Sequence, residues 1–481
     1  MVNANARGDL PDPVFFYQLL HQTIWKQLRA GGGASVTVEI LETTCCIVGG
    51  GPAGIVLGYL LARKGIEVTV LEKHKDFFRD FRGDTVHPST LEVLNELGLL
   101  KEFLELPHQE VASLSLIIGD SEFHVADFHH VPTTCKFVAL MPQWDFLNFL
   151  SSHAKKFPSF HLLLHHEATD LIRNGNRITG VVAQNDNHEV QIHAELVVGC
   201  DGRHSQIRSA AGLEVIEHGV PIDVLWFRIS RTPDDPGQVL GNVNYGKALI
   251  LINRSDYVQA GLIIKKGSYH DIQSFGLDAF RGDIRRIAPY LGERVNEIDN
   301  WDKIKILTVQ INRLRRWYRP GLLCIGDAAH AMSPAGGVGI NLAIQDAVAA
   351  ARILTPPLQQ KHVPVAALTA VESRRTLPTR VTQAIQLAAH RGFARVFEEQ
   401  GPIQAPWQLK AAVRIPGIQR AVGYAVGIGV RPEHVREEPT ARPARSRMSK
   451  IVFAGLGIAI AAAALGWAVK KTPAKTVVSG V

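Results

Sequence analysis

The chain has 481 residues, 46% of them hydrophobic, enough for about two or three domains with sizeable cores. Lys and Arg number 52 and Asp and Glu 45; because this small positive excess is scattered except near the C-terminus, it does not indicate a nucleic-acid-binding protein. The cysteines form no CxxC pair and no metal-ligand spacing, which predicts reduced packing residues in a cytosolic protein and no metal site: Cys45, Cys46, Cys135, Cys200 and Cys324.

Residues 1–40 are predicted to be an N-terminal extension. They contain no continuous apolar core of the kind found in a signal peptide, although VFFYQLLHQTIWKQL at residues 14–28 can form an amphipathic helix. Three glycines at residues 31–33 interrupt this pattern, and strand-like alternation begins near Val36. The extension is therefore predicted to precede a folded domain that begins shortly afterwards.

Residues 44–73 read as an apolar strand, a glycine turn, an amphipathic helix and a second strand. Gly49, Gly51 and Gly54 form G-x-G-x-x-G: the first permits the tight turn, the second lets the backbone approach a pyrophosphate, and the third lets helix and strand pack closely. The unpaired N–H groups of the helix N-terminus suit a dianionic ligand. Glu72 follows Gly51 by 21 residues and can bind ribose hydroxyls. This βαβ unit predicts a dinucleotide site comprising Gly49, Gly51, Pro52, Ala53, Gly54, Glu72 and Lys73.

The middle of the chain combines a second motif with a region of different character. The motif LVVGCDGRHSQIRSAAG spans residues 196–212 and has Asp201 and Gly202 directly after an apolar strand. Residues 215–310 then consist of short alternating runs separated by Gly, Pro and Asn, which is typical of antiparallel sheet. Trp226 and Phe227 in this region are candidates either for lining a substrate pocket or for the core of the sheet.

A third motif, GLLCIGDAAHAMSPAGGVGINLAIQDA, spans residues 321–347. Asp327 lies between an apolar strand and a glycine-rich turn, where its carboxylate can accept a hydroxyl of an extended ribityl chain. Because a nicotinamide dinucleotide has no ribityl chain, this position favours a flavin. The turn leads into a helix near Gly339, whose N-terminal N–H groups would stabilise negative charge on a reduced isoalloxazine ring.

The C-terminal part is predicted to be helical from about residue 366 to 430 and to continue as a flexible linker over residues 431–449, which are rich in Arg, Pro and Glu. Residues 451–469 form an uninterrupted apolar stretch of 19, about the length of a membrane-spanning helix. The denser positive charge before it favours a cytoplasmic body. Residues 450–471 are therefore predicted to be a transmembrane tail; the alternative is a buried or partner-docked helix, because the stretch is rich in Ala and Gly.

The three motifs, in this order and within residues 42–395, resemble those of the class A FAD-dependent aromatic monooxygenases, the flavoprotein hydroxylases related to para-hydroxybenzoate hydroxylase. The second motif is similar to that family's DG motif and the third to its GD motif. The resemblance implies an α/β fold, in which a Rossmann-like FAD-binding domain is interleaved with a mixed or antiparallel β-sheet substrate domain and followed by C-terminal helices. It implies FAD as the cofactor, with contacts from Arg82, Gln143, Asp201, Gly202, Asp327, Pro334, Gly337, Gly339 and Asn341.

Domain boundaries follow from the motifs together with the resemblance. They are 1–40 for the N-terminal extension, 41–214 and 311–395 for the FAD-binding domain, 110–140 and 215–310 for the substrate-binding sheet, 396–449 for the C-terminal helical region and linker, and 450–471 for the tail helix.

The reaction implied by the resemblance is NAD(P)H-dependent monooxygenation. NADPH or NADH is received transiently near the flavin, since the chain has no second G-x-G-x-x-G in a strand-helix context. Reduced FAD reacts with molecular oxygen to give a C4a-hydroperoxide, which hydroxylates an aromatic or lipophilic small molecule. Because the chemistry belongs to the cofactor, the sequence assigns no catalytic acid or base; His87, His204 and His330 lie in or beside motifs where one can manage a proton.

Two alternatives remain open at this point. An isoprenoid-lipid reductase or a halogenase shares the FAD-binding skeleton without inserting oxygen, although the halogenase signature WxWxIP is absent from the sequence. A non-catalytic flavin-binding protein is the other alternative, and the intact DG motif, implicated in the encounter with nicotinamide, weighs against it.

Overall fold

The computed structural model describes residues 38–78, 85–186, 188–236, 239–254, 256–399 and 401–435. Arg82, most of the N-terminal extension and the apolar tail lie outside these residues. The strands are β1 (Val38–Val48), β2 (Val68–Glu72), β3 (Thr85–Val86), β4 (Gln109–Val111), β5 (Ser113–Ile118), β6 (Ser121–Asp127), β7 (Val138–Leu140), β8 (Phe160–Leu164), β9 (Glu167–Asn174), β10 (Arg177–Asn185), β11 (His188–Gly199), β12 (Val215–His218), β13 (Ile222–Ser230), β14 (Val239–Asn244), β15 (Lys247–Asn253), β16 (Tyr257–Lys265), β17 (Lys305–Leu307), β18 (Ile311–Leu314), β19 (Tyr318–Arg319) and β20 (Leu322–Cys324).

The helices include two long ones that follow β20 and several shorter ones. They are α1 (Pro52–Ala62), α2 (Pro88–Glu96), α3 (Leu100–Phe103), α4 (Gln143–Ala154), α5 (Gln206–Ala210), α6 (Tyr269–Ser274), α7 (Leu277–Ile287), α8 (Val338–Gln359), α9 (Val365–Val396), α10 (Trp407–Ala412) and α11 (Ile418–Gly427). Short 3-10 turns lie at Pro289–Glu297, Trp301–Lys303, Gly326–Ala328 and Ala335–Gly337.

The first sheet carries the nucleotide-binding half of the fold. Its order is β19-β20-β11-β1-β2-β8, with β10 and β9 extending from β11. β1 runs parallel to β2 and β11, β2 parallel to β8, and β11 parallel to β20. The apolar end of β1 is fully buried because helices cover both faces of a parallel sheet. The carboxyl ends of β1, β2, β11 and β20 meet at one edge, where ligands bind in sheets of this kind.

The second sheet is mixed and has the order β17-β13-β16-β15-β14-β5-β6. Only the β14–β5 pair is parallel; the other pairs are antiparallel, as the alternating sequence predicted. Neighbouring residues of β13 point to opposite faces: Trp226 packs in a core with Val396 and Leu409, and Phe227 packs against Phe280 of α7 on the other face. The predicted α/β fold with an interleaved sheet and C-terminal helices is confirmed.

Helix α8 packs against α1 and α9. Within the described part of the chain, Ala335–Gln359 is long and apolar enough to cross a bilayer, but 67% of its apolar window is buried inside the protein. Its hydrophobicity is that of a core helix. The predicted packing role of the cysteines is also confirmed, because all five are free and buried.

Candidate functional site

The glycine turn after β1 has one open side and two closed ones. A Cβ atom placed on Gly49, whose φ is +105°, would lie 2.4 Å from the Cys200 carbonyl oxygen, and one on Gly54 would lie 1.9 Å from the Gly49 carbonyl oxygen. A Cβ on Gly51 would meet no heavy atom of the described residues within 4 Å. Pro52 and Ala53 then begin α1. The turn therefore leaves a free approach to its backbone at Gly51, where the helix N-terminus presents its N–H groups.

Glu72 lies at the end of β2 beside this turn, as predicted. Its carboxylate oxygens accept hydrogen bonds from the Gly50 and His74 backbone N–H groups, both at 3.1 Å. These bonds fix the carboxylate beside the glycine turn. Lys73 points outward, and its Nζ lies 3.8 Å from Glu167 on the surface.

The DG segment packs directly against the glycine turn. The Cys200 N–H donates to the Val48 carbonyl at 2.7 Å. The Asp201 carboxylate accepts from the Ser205 hydroxyl and from the Ile207 N–H, and Gly202 has φ +83°. Burial raises the pKa of Asp201 even though these hydrogen bonds lower it. Asp201 therefore holds the segment in its turn next to Gly49.

Asp327 of the GD segment faces the DG segment. Its Oδ2 atom lies 3.4 Å from Nη2 of Arg203, and both side chains are about one-third exposed at 31% and 27%. Nη1 of Arg203 is buried and has no hydrogen-bond partner among the described residues. Arg208 joins the two segments by donating to the carbonyls of Ala328 and Arg203. A guanidinium with a spare donor thus lies beside a partly exposed carboxylate at the carboxyl edge of the sheet.

A buried carboxylate on α8 fixes the GD turn from below. Oδ2 of Asp346 accepts from the Gly326 N–H at 3.1 Å and from Nε2 of His330 at 2.5 Å, and Oδ1 accepts from Nε of Arg375 at 2.8 Å. Burial alone would raise the pKa of Asp346, but His330 and Arg375 outweigh it and the pKa is lowered. His330, one of the motif histidines, therefore serves as a structural partner here.

The buried Arg375 also contacts Glu433, whose side chain is fully buried. Arg352 and Arg374 bind the same carboxylate at 2.8 and 2.6 Å. Residues 431–435, which the sequence predicted to be linker, are thus held against α8 and α9. The linker prediction is wrong for these residues. Three arginines compensate the buried charge of Glu433, which composition alone does not distinguish from a linker residue in solvent.

The turn that begins α8 is shaped by two glycines with positive φ, Gly336 at +81° and Gly337 at +64°, after Pro334. The Thr85 hydroxyl donates to the Gly337 carbonyl at 3.1 Å, and a Cβ on Gly337 would lie 2.5 Å from that hydroxyl. At Gly339 the nearest atom to an added Cβ is 3.7 Å away. The backbone at the N-terminus of α8 is therefore closed on the Thr85 side and more open at Gly339.

Residues 87–90 tie this turn to α11. Oδ1 of Asn341 accepts from the hydroxyls of Ser89 and Thr90, both at 2.8 Å, so the predicted flavin contact Asn341 uses its carbonyl oxygen inside the protein. Ser89 also donates to Gly427. His87 is buried with Nδ1 2.9 Å from the Val426 carbonyl, and desolvation lowers its pKa to about 4. A neutral histidine therefore anchors α11 to the turn.

A second buried histidine supports the turn from α9. Nε2 of His390 lies 2.8 Å from the Ser333 hydroxyl, which accepts from the Ala335 N–H. The Gln386 amide bonds to the backbone of Ser333 and Ala335. Burial lowers the pKa of His390 to about 4. Sequence reasoning missed Ser333, Gln386 and His390 as a unit, since Ser333 lies more than 50 residues before the other two and no local pattern links it to them.

A cavity of about 200 Å³ adjoins the N-terminus of α8. It is enclosed by residues 335–342, by residues 381–389 of α9 and by residues 422–430 in and directly after α11. All described residues that line it are uncharged, and most are aliphatic; the polar ones include Asn341, Gln386 and Tyr424. Trp226 and Phe227 do not line it. Gln143 begins α4, which packs against α1, away from the cavity lining.

Comparison with known proteins agrees with this geometry. A family model described as an FAD binding domain matches residues 42–385. The chain is similar to 6-methylpretetramide 4-monooxygenase of Streptomyces rimosus, with 29% identity over 380 residues that cover 78% of this chain and 89% of that protein. It is also similar to dialkyldecalin synthase of Streptomyces rugosporus, with 26% identity over 321 residues. This match covers 64% of this chain and 64% of that protein, just under two thirds.

Among solved structures, the fold is similar to that of the OxyS anhydrotetracycline hydroxylase from Streptomyces rimosus. The TM-score is 0.65 at 19% identity, over 83% of this chain and 78% of the hydroxylase. At that identity the likeness concerns the fold alone.

Proposed function

Because this chain belongs to the FAD binding domain family and is an FAD-dependent monooxygenase, we propose that it hydroxylates a neutral, lipophilic aromatic molecule with electrons from NADPH or NADH. The observation that carries the proposal is the uncharged cavity against the turn that begins α8. A bound flavin supplies the redox chemistry with oxygen, and the residues of the chain bind, orient and shield the reactants.

The described residues fit FAD at two separate places. The open side of Gly51 leaves room for a pyrophosphate against the backbone, while Glu72 lies close enough to the turn to accept ribose hydroxyls. Asp327 and the spare Nη1 donor of Arg203 lie at the same carboxyl edge of the sheet. A ribityl chain and a phosphate would satisfy an acceptor and a charged donor respectively.

The N-terminus of α8 would orient the reactive ring of the cofactor. Its first N–H groups have no partner within the helix, and the positive end of the helix dipole favours negative charge at this point. The turn is held rigidly by Thr85 from one side and by Ser333 with His390 from another. Such support keeps the donors in place without rearrangement during the reaction.

The chemistry of the cavity defines the substrate class. A carboxylated or otherwise ionised ring would lose its hydration without gaining a charged partner, because the described lining residues carry no charge. Aliphatic side chains favour an apolar ring system, and the side-chain NH2 of Asn341, whose Oδ1 already binds Ser89 and Thr90, would donate to a hydroxyl or carbonyl. At about 200 Å³ the cavity accommodates the reacting end of a ligand rather than a whole drug-sized molecule, for which about 300–1,000 Å³ is typical.

Oxygenation is favoured over the reductase alternative because 6-methylpretetramide 4-monooxygenase, of which the chain covers 89%, is by name a monooxygenase. Dialkyldecalin synthase, which is by name a synthase and not an oxygenase, marks the competing possibility. The nicotinamide donor is part of the proposal and rests on the intact DG segment, which Asp201 holds in its turn beside Gly49.

The test uses the FAD-bound chain mixed anaerobically with NADPH or NADH, with and without neutral aromatic ligands. We expect the flavin absorbance to bleach and a cavity ligand to change the rate. Ala389→Leu narrows the cavity and should abolish the ligand effect while FAD content is unchanged; Ala384→Leu, at an exposed position of the same helix, should behave as wild type. An undiminished ligand effect in Ala389→Leu would refute the cavity as the substrate site, and a flavin that neither nucleotide reduces would refute the electron donor.

We also propose that residues 450–471 anchor the catalytic body to the cytoplasmic face of a membrane, on the basis of their length and apolar composition. These residues lie outside the described part of the chain. Retention of the full chain in membranes washed with alkaline carbonate supports the anchor, and complete release contradicts it.

A further inference from the structure

The corner between α10 and α11 comprises residues 407–420. The Nε2 of Gln419 donates to the Val413 carbonyl at 2.6 Å, and Gly417 turns the chain with φ +83°. Leu409 packs in the core beneath the second sheet, and Ala412 is also buried. These contacts hold the corner in place.

The outer face of this corner is apolar at its centre. Trp407 is 71% exposed and Ile415 is 48% exposed. Trp407 and Lys410 lie three residues apart in α10 and therefore share one face of it, and Arg414 follows in the turn after the helix. The Trp407 and Ile415 side chains both belong to this short corner, and apolar surface left in water carries a free-energy cost that contact with an apolar phase would remove.

The charge of the corner has a single sign. Lys410, Arg414 and Arg420 are exposed, and the sequence contains no Asp or Glu from residue 400 to residue 432. The strand beneath α11 ends in Asp127, whose carboxylate accepts from His129. The corner thus combines an aromatic residue, an aliphatic residue and three cations, the composition of surfaces that lie in the headgroup region of a membrane.

We propose that the α10–α11 corner docks on an anionic lipid bilayer, with Trp407 and Ile415 in the headgroup boundary and Lys410, Arg414 and Arg420 against lipid phosphates. The indole suits the boundary because it is apolar with one polar tip, and the long basic side chains reach the charged surface. The chain continues from residue 435 into an Arg-rich segment and the apolar stretch 451–469, which would hold the body close to the same bilayer.

Docking at this corner has a consequence for substrate access, and this part rests on the proposed function. Helix α11 begins at the corner and carries Val422 and Val426 of the cavity lining. A lipophilic substrate dissolved in the bilayer would therefore meet the end of a helix that also lines the cavity.

The experiment places a single environment-sensitive fluorophore on the full FAD-bound chain through Ile415→Cys. The five native cysteines are buried, so labelling is confined to the introduced thiol. Phe275→Cys, at a residue 77% exposed between α6 and α7, is the matched control. With phosphatidylcholine vesicles that contain phosphatidylserine, we expect the label at 415 to brighten and shift to the blue and the label at 275 to stay unchanged.

Charge reversal by Lys410→Glu with Arg414→Glu should raise the vesicle concentration needed for half of this response by about 25-fold or more, since each basic side chain near an anionic surface contributes about fivefold to binding. The proposal is overturned if the protein floats with the vesicles while the label at 415 does not respond, because the tail alone then binds. It is equally overturned if the label is already blue-shifted without vesicles: dependence on protein concentration would identify a second copy as the occupant, and independence a segment of the same chain. If the label at 415 responds but the chain shows no monooxygenase activity, the proposed function alone is refuted.

Discussion

Gly51→Ala separates the binding of FAD from the stability of the fold. Gly51 has φ −73° and ψ −176°, which alanine adopts without strain, and the added Cβ meets no described atom within 4 Å. Alanine is a poorer helix cap than glycine by about 0.5 kcal/mol, and it restricts the unfolded chain by a similar amount of about 0.4–1 kcal/mol. The two effects offset each other, so the FAD-free variant should unfold like wild type.

The affinity for FAD should respond quite differently. The methyl group would occupy the space that the pyrophosphate requires, and overpacking of this kind costs about 1–3 kcal/mol, which corresponds to a dissociation constant about five- to 150-fold higher. Thermal unfolding of the FAD-free protein and titration with FAD, followed by quenching of flavin fluorescence, give the two quantities.

Two further glycine variants make the comparison sharp. Gly54→Ala brings a Cβ to 1.9 Å from the Gly49 carbonyl oxygen and should lower the free energy of unfolding by about 3 kcal/mol, the upper end for overpacked sites. Gly282→Ala, within α7 and equally open, should retain FAD affinity and gain about 0.5–1 kcal/mol of stability, because alanine is the better helix former. Wild-type FAD affinity in Gly51→Ala would refute the assignment of the open side of the turn to the pyrophosphate.

Three other predictions concern the supports of the site. Asp327→Ala should yield largely FAD-free protein, because the ribityl acceptor is lost and Arg203 loses its partner; full flavin absorbance after purification would contradict that role. Between pH 6.5 and about 4 the unfolded chain binds more protons than the folded one at His390, so lowering the pH over this range should decrease the free energy of unfolding by about 3 kcal/mol. Urea unfolding of His390→Gln should show a smaller decrease over the same range, and an equal decrease in both proteins would contradict the role of His390. Glu433→Gln should cost about 3–5 kcal/mol, because Arg352 and Arg374 lose their buried carboxylate and Arg375 keeps only Asp346, whereas Glu214→Gln in an exposed pair should change the melting temperature little; equal melting temperatures for both variants would refute the burial argument.

The parts of the site that the sequence predicted well are those encoded in short, regular spacing. Gly49, Gly51 and Gly54 follow one strand and begin one helix, and Glu72 ends the next strand, so local pattern and position in the fold coincide. The sheet order brings the DG and GD segments beside them, because β11 and β20 follow β1 in the same parallel sheet.

The parts that sequence reasoning could not assign depend on distant partners. Glu433 has the composition of a linker residue until Arg352, Arg374 and Arg375 surround it, and those lie 58–81 residues away in the chain. Trp226 and Phe227 are a different case, since adjacent residues of a strand face opposite sides. The period of the strand alone therefore excluded that both line one pocket.

The measurement that tests the central claim most directly is the incorporation of oxygen-18. The FAD-bound chain is supplied with NADPH or NADH, oxygen-18 gas and a neutral aromatic ligand whose binding perturbs the flavin spectrum, and the product is analysed by mass spectrometry. The account predicts one oxygen-18 atom per product molecule, and no labelled product from the Ala389→Leu variant. A product that is reduced, or that carries no oxygen-18 although the nicotinamide has been consumed, would contradict the account and favour a reductase.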